Sequence, residues 1–114
     1  MSIHIKTNNP RQLLNLIVDL VKDGNIQTWS VDNDGDFTHD VPQWKYKAWL
    51  TPTIIDEELI FGIIPPRANP ISTTIYAVYH GRFAEMLLAH LDKEFIEIRT
   101  TALPTSFDII DPKL

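Results

Sequence analysis

Cysteine is missing from this 114-residue chain. Its absence excludes disulfide staples, thiolate nucleophiles, iron–sulfur clusters and cysteine-ligated zinc together, and it fits a reducing compartment. Glycine is scarce, with four residues scattered along the chain. They form neither a phosphate-binding loop nor a dinucleotide fingerprint, and no G-x-S-x-G turn marks a serine hydrolase. Long apolar runs are missing too. The longest mostly apolar stretch, residues 75–91, is interrupted by His80, Gly81, Arg82, Glu85 and His90, so it is not a membrane span. The first ten residues carry His4, Lys6, Asn8 and Asn9 and lack the apolar block of a secretory leader.

Positive charge is in the minority. Ten basic against fifteen acidic residues leave a net charge of -5. A chain of that sign repels a phosphate backbone on average, so nucleic acid is disfavoured as a partner. Hydrophobic residues at 44% and charged residues at 22% are values of a globular protein, and the length suits one core. These features predict a single domain over residues 1–101, followed by an extended tail over 102–114 that packs through Leu103 or Phe107. A cytoplasmic location is the matching expectation.

Patterning supplies the elements. Residues 2–6 alternate, with Ile3 and Ile5 on one face, and predict a half-buried strand. Asn9-Pro10 opens a helix whose apolar positions include Leu13, Leu14, Ile17 and Val21, and Gly24 ends it. Residues 26–31 predict a strand, followed by a turn at Asp34-Gly35. Residues 43–50 alternate again, with Trp44, Tyr46, Ala48 and Leu50 on one side and Lys45, Lys47 and Trp49 on the other. Residues 51–55 and 59–64 flank an acidic turn and read as a hairpin, in which Pro52 asks for an edge or a bulge. A second helix runs from Asn69-Pro70 or Ser72 to about residue 92, and residues 94–101 close the set as a strand. The order predicts a two-layer α+β domain with a mainly antiparallel sheet and two helices on one face. That is a ferredoxin-like (split βαβ) variant with an inserted hairpin.

Candidate chemistry is thin. Asp32, Asp34 and Asp36 invite a calcium reading, but the spacing fails the EF-hand frame, since Gly35 falls at the fourth position and Gln43 where the bidentate glutamate belongs. A hairpin turn in solvent is the better account, and no metal or cofactor is expected. His80 and His90 lie ten residues apart on the second helix, too far to share an ion. His90 falls in the apolar arc and reads as a core or boundary histidine. His39 and Asp40, adjacent in a strand, point to opposite faces. Gly81 inside a helix suggests a close approach by another group. Arg82 at the edge of the apolar arc suits either an anionic ligand or a surface pair with Glu85.

One sheet face remains. With Trp44, Tyr46 and Leu50 turned to the helices, Trp49, Lys47, Phe95 and Arg99 share the open side. Aromatics beside cations there suit a protein partner or a second copy of the chain better than single-stranded nucleic acid, whose sheet motifs are missing. The stretches GNIQTWSVDNDGDFTH, QWKYKAWL and YAVYHGRFAEMLLAHLDKEF resemble a family of short bacterial proteins of uncharacterised function. That resemblance implies a bacterial cytoplasmic protein and carries no mechanism. The expectation is a self-associating interaction module built on Trp49, Lys47, Arg99 and Phe95. The alternative is a small-ligand binder or enzyme using Tyr79, His80 and Arg82 in a cleft beside the second helix.

Overall fold

The computed structural model describes residues 1–109 together with 112 and 113. Strand β1 (Ile3–Lys6) buries Ile3 and Ile5 completely. Helix α1 (Pro10–Lys22) starts where Asn9 accepts the Gln12 N–H at 3.1 Å, with Pro10 already fixed for the first turn. Leu13, Ile17 and Val21 are its buried stripe, and Gly24 beyond its end takes φ +86°. Strands β2 (Trp29–Val31) and β3 (Phe37–His39) form a hairpin around Gly35, whose φ of +84° favours glycine. Strands β4 (Trp49–Ile55) and β5 (Glu58–Ile64) form the second hairpin. Helix α2 (Thr73–Leu91) takes Ser72 as its cap, with Oγ accepting the Ile75 N–H at 3.1 Å, and β6 (Glu97–Thr100) ends the regular structure.

The six strands make one antiparallel sheet in the order β2-β3-β4-β5-β1-β6. β5 and β6 flank β1 and both oppose it, so they run the same way, with α2 connecting them. β3 meets β4 only through Phe37↔Leu50, which leaves the outer side of Pro52 without a strand partner and explains its tolerance there. Cross-strand neighbours Ile3↔Phe61, Ile5↔Leu59 and Leu50↔Ile63 join Leu13, Ile17, Phe83 and Leu87 in one core. Phe83 meets Phe61, Trp29 and Phe37 edge-on, at centroid distances of 4.7, 5.0 and 5.8 Å.

Three expectations need correction. Residues 43–47 are a turn, not the start of a strand, and Tyr46 sits there at φ +62°. Side-chain hydrogen bonds hold it. Thr38 Oγ1 accepts the Tyr46 N–H at 3.1 Å and donates to the Ala48 carbonyl at 2.9 Å, while the buried Tyr79 hydroxyl donates to the Trp44 carbonyl. Gly81 faces open space; the close approach occurs at Gly62, where an added Cβ would lie 1.8 Å from the Phe107 carbonyl oxygen. The strand expected over residues 94–101 is limited to Glu97–Thr100, which leaves Ile96 outside it and exposed.

The C-terminal segment is bound along its described length. Asp108 Oδ1 accepts the Ile63 N–H at 3.0 Å, and the Ile109 N–H donates to the Ile63 carbonyl at 3.2 Å. Further on, Lys113 exchanges backbone hydrogen bonds with Pro65 and Arg67, donating to the first and accepting from the second. Phe107 is the packing residue, edge-on to the His4 ring at 5.8 Å, whereas Leu103 is 76% exposed.

Candidate functional site: a cleft beside the second helix

The sequence does little to single out His39, but the hairpin does. Counting outward from Gly35 pairs Val31 with Phe37, Ser30 with Thr38 and Trp29 with His39. The last pair stacks at 4.6 Å with the rings 27° apart. Nδ1 of His39 lies 2.8 Å from the Thr28 carbonyl, an acceptor, so Nδ1 carries the proton and Nε2 keeps its lone pair. Nε2 has no hydrogen-bond partner among the described residues. Burial pushes the imidazole below its ordinary range; the Thr28 carbonyl raises it, Arg82 lowers it, and Asp40 and Glu85 raise it. The ring is a neutral acceptor.

Trp29 and His39 line one side of a cleft of about 760 Å³. The loop through Asn25 and Gln27 and the turn through Val41 and Trp44 extend that side. Opposite them, α2 contributes Arg82, Glu85, Met86 and Ala89, with His90 at its far end. Its size is that of small-molecule sites, and its walls mix apolar surface with a few convergent polar groups. The turn wall is fixed from beneath, since α2 itself holds the Trp44 carbonyl through Tyr79.

The expected site residues part company here. Of Tyr79, His80 and Arg82, only Arg82 lines the cleft. Tyr79 is fully buried and raised in pKa by that burial. His80 is 4% exposed, with Nδ1 2.7 Å from the Tyr76 carbonyl and Nε2 2.8 Å from the Met1 carbonyl. Burial lowers its pKa against those two carbonyls, which favour the protonated ring. His90 is exposed at the cleft end and is no core residue.

The open aromatic face does not form. Trp49 is 1% exposed inside one chain, stacked on Tyr46 at 5.9 Å with the Lys113 ammonium 5.8 Å from its ring. Strands β5 and β1 separate it from β6, where Arg99 pairs with Glu58 at 3.6 Å. Phe95 packs half-buried against the core, and Lys47 is exposed on the turn. These four residues make no common patch.

Two other clusters hold members that the sequence pattern did not bring together. Lys113 places its ammonium 2.5 Å from Asp32 and Asp36 and 3.2 Å from Asp34. Burial opposes its charge, but hydrogen bonds to the three carboxylates outweigh it and raise the lysine above its usual range. Asp32 is correspondingly lowered, its partial burial being outweighed by Lys113 and by the Asp36 and Asp34 N–H groups. Nothing in the spacing of the acids announced a lysine about eighty residues away. Beside β1, Thr105 donates to Ser2 Oγ, which lies 2.9 Å from His4 Nε2, while His4 Nδ1 is buried without a partner, 3.9 Å from Glu58. The order of groups resembles a serine–histidine–carboxylate relay. It is sealed, because Ser2 is fully buried and Phe107 packs on the imidazole.

Comparison with protein families, with curated proteins and with solved structures finds no match. Among the described residues, no helix is long and apolar enough to cross a membrane.

Proposed function

We propose that this protein binds a small organic molecule in the cleft between α2 and the Trp29–His39 wall. The observation that carries the reading is the neutral His39 imidazole, held at Nδ1 by the Thr28 carbonyl and left with an unused acceptor in a concave site. Nε2 has no partner within the described residues and is open to the cleft, so a guest that donates to it and excludes water gains a hydrogen bond there. Arg82 and Glu85 line the same cleft and add one charge of each sign. The reading makes the chain a binding domain on a ferredoxin-like (split βαβ) variant. In that variant β3 and β4 are inserted between the β1–α1–β2 and β5–α2–β6 units, and both helices cover one face of the sheet. The self-association expected around Trp49 loses its anchor with that ring buried.

The test is a thermal-shift screen of small aromatic acids, amines and amino acids against the wild type and Ala89→Trp. Ala89 is exposed on α2 and lines the cleft, so an indole there fills the space with little cost to the fold. A compound at ~100 times its dissociation constant stabilises the wild type by about 2.7 kcal/mol, and the filled variant loses that shift. Compounds that stabilise both proteins equally bind elsewhere and contradict the reading.

A further inference from the structure

The charges in the cleft select among ligands. Arg82 Nη1 lies 3.4 Å from Glu85 Oε1, one turn away on α2, and the two side chains are 58% and 68% exposed. Water competes for both, so the pair itself contributes little and is readily exchanged. A guest that offers a carboxylate to Arg82 and an ammonium to Glu85 replaces one weak pair with two charge-assisted ones. A phosphate or other polyanion gains from Arg82 and loses to Glu85 at nearly the same distance, so the two effects largely cancel. The cleft therefore favours a molecule carrying both signs on neighbouring atoms.

The opposite wall selects a second feature. The half-buried Trp44 presents ring surface, the nearly buried Trp29 and Met86 add only a little apolar surface, and His39 Nε2 accepts a hydrogen bond without offering one. A flat apolar group with a single ring N–H or O–H satisfies all of these at once, whereas an acceptor-only ring leaves Nε2 unpaired.

We propose that the ligand is a free aromatic α-amino acid with a donor on its ring, of the tryptophan or tyrosine type. Its carboxylate is held by Arg82, its ammonium by Glu85 and its ring donor by His39. This rests on the cleft being the binding site. The carboxylate and ammonium of such a molecule share one carbon, which matches two side chains already within reach of each other.

The experiment is calorimetric titration of the full chain with L-tryptophan, tryptamine and indole-3-propionate. The last two each lack one charge and keep the indole. L-Tryptophan is expected to bind about tenfold or more tighter than either analogue. Arg82→Ala should reduce it to the tryptamine level and Glu85→Ala to the indole-3-propionate level, with melting temperatures unchanged because both side chains are exposed. An analogue that binds as tightly as L-tryptophan, and is blocked by Ala89→Trp, overturns the amino-acid assignment and leaves the cleft reading standing. L-Tryptophan binding that survives Arg82→Ala or Ala89→Trp overturns the assignment by placing the ligand elsewhere. No binding by any of the three also overturns it, and the cleft reading is then decided by the wider screen.

Discussion

Tyr79 donates its buried phenolic proton to the carbonyl of Trp44, so the helix that forms one wall of the cleft also anchors the other. The hydroxyl also lies 3.1 Å from Thr38 Oγ1, which accepts the Tyr46 N–H and donates to the Ala48 carbonyl. This network turns an aromatic-rich segment away from strand geometry and holds Tyr46 at positive φ.

Tyr79→Phe removes that donor and leaves the Trp44 carbonyl without it. The expected loss is about 1–2 kcal/mol, read by urea unfolding. The cleft should lose affinity for its ligand as well, although Tyr79 touches no part of the cavity. A variant as stable as the wild type with unchanged binding would separate the network from the site.

Two glycines should respond with opposite signs. Gly81 has nothing within 4 Å of an added Cβ and sits in the helix interior. Gly81→Ala should therefore stabilise by about 0.5–1 kcal/mol. Gly62→Ala drives a methyl into the backbone of Phe107, which no rotamer change relieves. It should cost about 2–4 kcal/mol and raise the accessibility of Trp49 to an aqueous fluorescence quencher. Equal effects at the two positions would contradict the path of the C-terminal segment.

Lys113→Met strands three carboxylates together, of which Asp36 is almost fully buried. The expected loss is about 1–3 kcal/mol at neutral pH, with partial recovery on adding Asp36→Asn. Asp32 has a lowered pKa in the fold, so its contribution is complete above its ordinary value of 3.8 and is lost as pH falls below it. The wild type should thus lose more stability than Lys113→Met between about pH 5 and pH 3, the range that brackets the ordinary carboxylate pKa.

His4, His39 and His80 are all lowered by burial from 6.5. The unfolded chain binds protons at these sites that the folded chain refuses, so stability should fall as pH drops below about 6.5 toward the folded values. The denaturation midpoint should be flat above that point and decline beneath it. A midpoint that rises on acidification would require at least one of these rings to be protonated in the fold.

How much of this was legible depended on how local each cause is. Pro10 after Asn9, Gly24 and the Leu13–Ile17–Val21 stripe act within a few residues, and α1 lies where they put it. The β2–β3 turn followed from Asp34-Gly35 in the same way. Residues 43–50 misled because alternation is only a correlate of strand, and hydrogen bonds from Thr38 and Tyr79 decided the backbone there. Arg82, expected at the edge of the apolar arc, lines the cleft. His39 was discounted for pointing away from Asp40, yet its partner is the cross-strand Trp29, which register counted from Gly35 would have supplied. The burial of Trp49 did not follow from the alternation that put it on the open side. What buries it, the Tyr46 ring and the Lys113 end of the tail, depends on a positive φ and on contacts about sixty residues away in sequence.

The most direct test of the binding site is the ring nitrogen spectrum of His39, assigned with His39→Gln, recorded while a ligand from the screen is added. The cleft account predicts a neutral Nδ1–H imidazole in the free protein, with the Nε2 resonance moving as it gains a donor and no such movement in Ala89→Trp. A ring already protonated at neutral pH, or an Nε2 signal indifferent to every compound that stabilises the protein, would contradict it.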